Sequence, residues 1–546
     1  MPKHTIGIDF GTDSARAVLV DVASGRVAAT ASVPFPHGVI DRSLPGQSDH
    51  LPPDWALQHP GDWVAAAEQL LRTMAQHTNP DDIVGLGVDC TSCTVLPVTA
   101  EGTPLCLQAD FARDPHAWPK LWKHHAAQPY ADRINAARAR AGGAFLEFYG
   151  GKTSSEWLWA KGWQVLAEAP AVARATARWI EGGDWIVWQL TGTEMRSACQ
   201  AGYKAHWQKD SGYPETAFLR GLDPALPEWL ERLAPPHPVA RKAGGLVGAW
   251  AARTGLHPGT PVAVAVIDAH AGMPAVGVAE AGQMVAIMGT STCHLLVDPR
   301  RFAIPGISGV VEDGIVPGLF GYEAGQASVG DIFQWFVRSA VPAHVGTGDA
   351  AYETLAAQAG RLRPGEAGVL ALDWWNGCRT PLVDADLSGL LVGLTVTTEP
   401  HEIYRALLES TAFGTRRVIE TFEAGGLTIN EVLACGGLAE RNALLLQLTA
   451  DIIGREVLAA PVPHASAVGA AIYAATAAGV SVGGYADLRD AIRRMGSRER
   501  IAYRPRTSEQ RLYESLYRDY LDLARHFGEG GTALMKRLRR LRAGSG

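Results

Sequence analysis

The chain lacks the features that would assign it to several common classes of protein. Seven cysteines in 546 residues are too few for a disulfide scaffold, and no uninterrupted apolar run approaches the ~20 residues of a membrane helix. Basic residues (49) do not outnumber acidic ones (56), so the net charge of -7 gives no electrostatic reason to expect nucleic acid as a partner. We therefore expect a cytoplasmic protein without a signal peptide that binds neither membranes nor nucleic acid.

Two familiar motifs are also missing. No G-x-x-x-x-G-K-[ST] sequence opens a helix, which excludes a P-loop. Cys90 and Cys93 form a C-x-x-C pair, but no second pair stands at zinc-finger spacing. The pair therefore does not predict a zinc site, and a redox role stays open.

The chain does contain a hairpin with a polar turn near its start. An apolar strand over residues 6–10 contains Asp9, and a second apolar strand covers 17–20. The turn between them consists of Gly11, Thr12, Asp13 and Ser14. Glycine lets the backbone come close to a bulky anion, and Asp9 is placed to hold hydrated Mg²⁺. On its own, the pattern fits an ordinary hairpin equally well.

A second copy of this pattern favours a functional interpretation. Residues 284–298 again form an apolar strand, a polar turn and an apolar strand. Its turn consists of Gly289, Thr290, Ser291 and Thr292. Two such hairpins far apart in one chain predict two related domains that bind phosphates across a shared cleft. The second copy lacks the aspartate, so only the first half would carry the metal residue.

Strands alternate with helices along the chain, which predicts mixed α/β layers. A Trp-rich stretch over about 110–235 is interpreted as an elaboration of the first domain, and an apolar strand over 261–267 is expected to begin the second. We predict domains over 1–258 and 259–505, followed by a helical tail over 506–546. In that tail, a helix over about 508–524 is expected to pack through a stripe formed by Leu512, Leu516, Tyr517, Tyr520 and Leu523.

Asp268 directly follows the apolar strand and precedes a predicted helix. A carboxylate at such a junction can accept the proton of an attacking hydroxyl. It can also be a simple helix N-cap, which is a common use of aspartate. Spacing alone does not separate these two roles.

A third glycine-containing turn follows an apolar strand at 433–435. Gly436 and Gly437 would let the backbone approach a flat ring or an α-phosphate, and Asn442 is placed in the first turn of the next helix, within reach of a nucleotide. A plain strand-to-helix turn is the alternative. The order along the chain is phosphate loop, base, phosphate loop and adenosine turn, and this order favours an ATP site.

These motifs resemble those of the FGGY carbohydrate kinases from Ile6 to beyond residue 475. Residues 389–394 and the helix over 402–409 match the signature of the family's second domain. The resemblance implies an α/β fold with two actin-like (ribonuclease H-like) ATPase domains facing a central cleft. It implies ATP and Mg²⁺ as cofactors and Asp268 as the general base. The two hairpins would hold phosphates, and Gly436, Gly437 and Asn442 would line the adenosine site.

Four stretches resemble the members of this family that act on L-ribulose, namely residues 149–161, 201–207, 321–326 and 372–381. The resemblance implies ATP-dependent phosphorylation of the 5-hydroxyl of this ketopentose, in L-arabinose degradation. The residues expected to bind substrate are Lys204, Glu323, Asp268, Trp122 and Cys93, and Lys123 is a further candidate beside Trp122.

One position departs from the family pattern, because His124 stands where relatives usually carry an acid. Sugar contacts in that segment are therefore open. A kinase for D-ribulose or D-xylulose is one alternative, and an actin-like or chaperone-type ATPase is another. The sequence also leaves open whether the chain forms a homodimer.

Overall fold

The computed structural model describes residues 2–141 and 144–542, without the side chains of 139–141. The last four residues of the predicted tail, 543–546, lie outside the described residues.

The strands follow in chain order: β1 (His4–Phe10), β2 (Ser14–Asp21), β3 (Val27–Pro34), β4 (Ile83–Cys90), β5 (Val95–Val98), β6 (Arg178–Glu181), β7 (Arg196–Ser197), β8 (Pro236–His237), β9 (Lys242–Gly245), β10 (Pro261–Ala263), β11 (Val266–Ile267), β12 (Gln283–Met288), β13 (Thr292–Asp298), β14 (Gly309–Glu312), β15 (Phe320–Gln326), β16 (Leu370–Leu372), β17 (Leu390–Val392), β18 (Glu431–Cys435), β19 (Val457–Ala459) and β20 (Ile501–Tyr503).

The α-helices are α1 (Pro60–Ala75), α2 (Gln128–Ala141), α3 (Leu158–Glu168), α4 (Pro170–Ala175), α5 (Gly182–Thr191), α6 (Ala198–Lys204), α7 (Thr216–Leu222), α8 (Gly248–Thr254), α9 (Asp268–Ala275), α10 (Gly330–Ser339), α11 (Gly348–Ala359), α12 (Pro400–Ala424), α13 (Gly437–Arg441), α14 (Ala443–Ile453), α15 (Ala465–Ala478), α16 (Leu488–Met495), α17 (Thr507–Gly528) and α18 (Leu534–Arg542).

The first large sheet has the order β3-β2-β1-β4-β10-β9, and β11 also pairs with β4. Its central strands β1 and β4 are buried along their whole length. The edge strand β3 alternates half-buried and exposed residues, as expected where one face meets water. The hairpin β1–β2 forms as predicted, with Phe10 opposite Ala15.

The second large sheet has the order β14-β15-β13-β12-β18-β19-β20. Its hairpin β12–β13 pairs Met288 with Thr292, and β12 runs parallel to β18. The second predicted hairpin is therefore present, and the turn at Gly436 and Gly437 leaves the strand next to it.

A shared core joins the two sheets. Helix α15 lies against β1 and β4 of the first sheet and against α9. The fit is close, since a Cβ atom on Gly87 would lie 1.9 Å from the carbonyl oxygen of Ala470. The same buried cluster includes Val20 from the first sheet and Val285 and Leu433 from the second.

The strand that we predicted to open the second domain belongs to the first sheet. In β10, Val262 pairs with Leu86, and in β11, Ile267 pairs with Cys90. Strand pairing therefore changes from the first sheet to the second between residues 267 and 283, later than the proposed start at residue 259. The division of the chain into three parts stays a prediction.

The C-terminal helix packs through the predicted stripe except at Leu512, since Leu516 and Leu523 are half-buried against the core. Its buried residues are Tyr513, Tyr517, Tyr520 and Ala524, whereas Leu512 is 49% exposed. The hydroxyl of Tyr513 lies 2.7 Å from Glu409 Oε1 and accepts from Arg405 Nη2 at 2.7 Å. These buried hydrogen bonds fix the rotation of the helix. Within the described residues, none of the helices has the length and apolar character needed to span a bilayer.

Candidate active site

Three segments of the first sheet end side by side. Strands β1, β4 and β11 are parallel, and Cys90 is in register with both Phe10 and Ile267. The first polar turn, the loop after β4 and Asp268 therefore emerge at one edge. Ligands in such sheets bind beyond the carboxyl ends of the strands.

Three carboxylates meet at this edge. Asp9 and Asp89 occupy paired positions on β1 and β4, and Asp268 follows β11. Asp89 is fully buried, and within the described residues neither of its carboxylate oxygens accepts a hydrogen bond from a donor group. Burial raises its pKa well above the usual range, and the like charges of Asp9 and Asp268 add to this.

Asp89 was not among the site residues predicted from the sequence. The signal was available, because residues 87–90 (Gly-Val-Asp-Cys) repeat the pattern of residues 7–10 (Gly-Ile-Asp-Phe). Both aspartates stand one residue before the end of a buried strand.

Asp268 is the first residue of α9 and is partly buried. Burial raises its pKa to about 7, and the negative charge of Asp9 adds to the shift. The backbone N–H of Ala269 donates to Oδ1 at 2.7 Å and opposes the shift. That hydrogen bond spans one residue, whereas an N-cap side chain bonds two or three residues ahead. The Asp268 side chain therefore does not act as the N-cap of α9.

Two side chains donate hydrogen bonds to Thr12 in the first polar turn. Gln58 Nε2 donates to the carbonyl of Thr12 at 2.7 Å, and Trp122 Nε1 donates to Thr12 Oγ1 at 3.1 Å. Gly11 closes the turn by donating to the carbonyl of Ser14 at 3.0 Å. Asp13 is exposed at its tip.

The second polar turn lies beside the turn at Gly436 and Gly437. Gly289 donates to the carbonyl of Ser291 at 2.9 Å, and the carbonyl of Thr290 accepts from Val329 at 2.8 Å. Gly436 has φ +95°, and a Cβ atom there would lie 2.6 Å from the carbonyl oxygen of Met288. Only glycine fits at this position.

Thr292 ends the second polar turn, and Gly437 follows Gly436. The hydroxyl of Thr292 is buried without a partner in the described structure. Gly437 is the first residue of the short helix α13.

Asn442 was predicted to lie in the first turn of a helix, and this prediction is wrong. It separates α13 from α14 and caps α14, because its Oδ1 accepts from the backbone N–H of Leu445 at 3.0 Å. Its Nδ2 donates to the hydroxyl of Tyr404 at 3.3 Å. The short α13 displaces the helix start that the sequence indicated.

Lys204 and Glu323 come together although they are 119 residues apart. Lys204 Nζ lies 2.8 and 2.9 Å from the two carboxylate oxygens of Glu323. Burial alone would raise the pKa of Glu323, but Lys204 holds it well below its usual range. His270 Nε2 lies 3.3 Å from Glu323, and burial lowers the pKa of His270. An ammonium has three donors, so the pair keeps capacity for a further polar group.

An aromatic wall lies next to this ion pair. It contains Cys93, Tyr149 and Trp157, with Trp122 packed against it. Lys204 Nζ is 5.7 Å from the centroid of the Trp157 ring. Burial raises the pKa of the Cys93 thiol to about 11, so this cysteine is a neutral wall group without a reactive thiolate.

His124 faces the protein interior. Its Nδ1 accepts from the backbone N–H of Ala56 at 3.3 Å, and its Nε2 lies 3.0 Å from Gln164 Oε1. Burial lowers its pKa well below the usual value. Both ring nitrogens are used, so His124 does not offer a contact for a sugar.

Residues from the two halves of the chain also meet around the cleft. Asp331 lies beside the second polar turn, and burial raises its pKa. The positive charge of Lys123 is close enough to oppose this rise. Arg379 Nη2 lies 3.7 Å from Glu156 Oε1, and Lys152 donates to the carbonyl of Val383 at 3.1 Å.

One other group within the described residues could in principle hold a metal ion, namely His37, His59 and Asp62. The two imidazole rings are stacked, with centroids 4.3 Å apart and planes at 11°. Stacked rings cannot both direct an in-plane lone pair at one ion. His59 Nδ1 also already accepts from the backbone N–H of Gly61 at 3.0 Å, so His59 serves as the N-cap of α1.

The sequence and the fold are both similar to those of known proteins. Residues 284–478 match the C-terminal domain of the FGGY family of carbohydrate kinases. The chain is 48% identical to a ribulokinase of Geobacillus thermodenitrificans (strain NG80-2), over 98% of this chain and 97% of the relative. It is 45% identical to a ribulokinase of Mycolicibacterium smegmatis, over 99% and 97%.

A crystal structure of xylulose kinase from Rhodospirillum rubrum is also similar, with a TM-score of 0.78 and 25% identity over 96% of this chain and 98% of that chain. The expected architecture, two actin-like α/β domains around a central cleft, is confirmed. Together with the full-length identity to the curated relatives, these matches show that the chain belongs to the FGGY family of carbohydrate kinases.

Proposed function

We propose that the protein transfers the γ-phosphoryl group of ATP to the 5-hydroxyl of L-ribulose, giving L-ribulose 5-phosphate and ADP. The observation that carries this proposal is the 48% identity to a ribulokinase over 98% of the chain. The position of the base beside a buried polar pair supports it from the geometry.

The sugar would lie between Asp268, the Lys204–Glu323 pair and the aromatic wall. A buried ammonium and carboxylate suit a ligand with many hydroxyl groups, because such a site rejects analogues that leave its polar groups unpaired. The apolar wall would keep water away from the transferred phosphoryl group.

The chemical step needs one proton acceptor. As the ketose oxygen bonds to the γ-phosphorus, the bond from that phosphorus to the bridging oxygen of ADP breaks, and Asp268 takes the hydroxyl proton. A base with a pKa of about 7 suits this task near neutral pH. The transition state of phosphoryl transfer is loose, so the remaining catalysis is placement and charge neutralisation.

The two polar turns would bind the phosphates through backbone N–H groups and hydroxyls. The buried, unpartnered hydroxyl of Thr292 supports a ligand at the second turn. Gly436 and Gly437 would line the adenosine site, with Asn442 beside them.

The carboxylates at the first sheet edge fit Mg²⁺. Among the described residues the oxygens of Asp89 have no donor, and Asp9 is only 8% exposed and pairs with Arg16 Nη1 at 3.2 Å, so a cation would neutralise the remaining like charge in a buried place. Asp9 and Asp89 would hold the ion. Bound there, Mg²⁺ would supply positive charge to the phosphates.

We also propose a cytoplasmic location, where ATP is available. Whether the protein forms a homodimer can be tested by light scattering.

An ADP-release assay tests the function. We would compare L-ribulose, D-ribulose, L-xylulose, D-xylulose, ribitol and glycerol with a reaction that contains no sugar. L-Ribulose should give the highest kcat/KM, and release without sugar should be low. A better rate with D-ribulose or D-xylulose would move the substrate to that pentulose. Equal release without sugar would favour an actin-like or chaperone-type ATPase.

The assigned base has its own test. Asp268→Ala should leave ATP binding nearly intact and remove most turnover. Asp41→Ala removes an exposed acid from a surface loop and is the matched control. Unchanged turnover in Asp268→Ala would refute the role of this residue.

A further inference from the structure

A buried lysine lies behind the aromatic wall. Lys161, on α3, has no exposed surface. Its Nζ donates to the carbonyl of Cys93 at 2.8 Å, to that of Leu121 at 2.8 Å and to that of Lys120 at 3.4 Å. Among the described residues, no carboxylate forms an ion pair with it.

These carbonyls belong to the two chain segments that build the sugar side of the cleft. Cys93 lies in the loop after β4 and has φ +59°. Leu121 precedes Trp122, whose ring packs on the wall and whose Nε1 donates to Thr12 in the first polar turn. One ammonium therefore ties the Cys93 loop to the segment that carries Trp122.

Packing alone does not account for a charge at this position. Burial of an ammonium without a carboxylate is costly, and an apolar side chain of similar length would fill the same volume without that cost. The three carbonyls match the three donors of the ammonium. What the charge adds is a fixed position for the backbone of two otherwise separate segments.

We propose that Lys161 is a positioning residue that sets the sugar side of the cleft. By holding the carbonyls of Cys93 and Leu121, it fixes the Cys93 loop and Trp122 at the spacing that a ketopentose needs. The inference rests on the proposed function, because it assumes that a ketose binds against this wall.

If the charge of Lys161 positions the wall, the affinity for the ketose should depend on pH. A purely structural role of the side chain would not predict this dependence. Burial lowers the pKa of Lys161 to about 8, and Cys93 and Glu156 partly oppose the shift. The other titratable groups around it are Lys120 and His124. The ammonium is present below about pH 8 and is lost above it. Affinity for the ketose should therefore fall as the pH rises from 7 to 9.

The test compares Lys161→Met with Lys120→Met. Lys120 is also fully buried, but its Nζ donates to the carbonyl of His116, away from the wall. Calorimetry would measure L-ribulose binding without ATP, and steady-state kinetics would give the KM for each substrate. Lys161→Met should raise the ketose Kd and KM about tenfold or more, change the KM for ATP less than about threefold, and abolish the loss of affinity at alkaline pH. Lys120→Met should retain the wild-type ketose affinity.

Several results would overturn the proposal. One is a ketose Kd in Lys161→Met equal to that of the wild type. Another is an equal rise in the KM of both substrates, and a third is an equal loss of affinity in Lys120→Met. If Lys161→Met does not fold, Lys161→Gln replaces it. If neither variant folds, a wild-type ketose affinity that is flat between pH 7 and 9 overturns the proposal. A wild-type enzyme that phosphorylates no ketose would instead refute the proposed function.

Discussion

The raised pKa of Asp268 predicts an acid limb in the rate profile. The carboxyl must be ionised to accept the hydroxyl proton, and burial beside Asp9 raises its pKa to about 7. Below that pH, kcat/KM should fall about tenfold for each pH unit. From the fraction ionised, the rate at pH 6 should be about a tenth of the rate at pH 8.

Asp9→Asn would show whether the cleft sets this pKa. Asn removes a like charge that raises the pKa of Asp268, so the acid limb should move to lower pH whatever happens to kcat. Asp41→Asn, which changes an exposed acid, should leave the limb in place. The assay is ADP release at L-ribulose concentrations well below KM, with folding checked by circular dichroism at each pH.

Stability provides an independent check with a defined sign. A carboxyl whose pKa is higher in the folded state than in the unfolded state makes folding less favourable as the pH rises through that range. Asp268→Asn should therefore raise the melting temperature at pH 8 while removing turnover. A flat rate profile from pH 5.5 to 8, or an acid limb that does not move in Asp9→Asn, would refute the reasoning.

Three further substitutions have defined outcomes. Glu323→Gln leaves a buried lysine without its carboxylate, so thermal unfolding should show a loss of about 3 kcal/mol or more, and no loss would contradict a buried pair. Gly436→Ala places a Cβ atom against the carbonyl of Met288, so the KM for ATP should rise much more than the KM for ketose, whereas equal KM changes would place Gly436 outside the nucleotide site. Trp122→Phe keeps the wall but loses the hydrogen bond to Thr12, so kcat should fall severalfold with a nearly constant ketose KM; an unchanged kcat would show that this bond does not position the turn.

Local patterns predicted the local structure well. The strand-turn-strand pattern around Gly11 and Gly289 depends only on residues that are adjacent in the sequence, and both hairpins are present. Helix α1 likewise follows from local signals, because Pro60 suits its first position and its apolar residues recur at helical spacing on the buried face.

Features set by distant partners were not predictable in the same way. The sheet that receives β10 and β11 depends on β4, which lies more than 170 residues earlier. The burial of Tyr513 on α17, which was not part of the predicted stripe, depends on Glu409 and Arg405, which bond its hydroxyl.

Burial decided the roles of several polar residues in the candidate site. A single sequence does not show that Asp89 has no donor in the described part of the chain or that His124 uses both ring nitrogens within the protein. Lys161 is similar, because its three acceptors are backbone carbonyls and leave no signature in side-chain identity.

The position of α15 has a consequence for the order of folding during synthesis. This helix, residues 465–478, covers β1 and β4, which are among the first parts of the chain to leave the ribosome. One face of the earliest sheet thus stays uncovered until the ribosome has made most of the polypeptide. Domains commonly fold in order as they emerge, but here the amino-terminal half must wait for its partner helix. A nascent chain stalled before residue 465 should therefore expose apolar surface to chaperones.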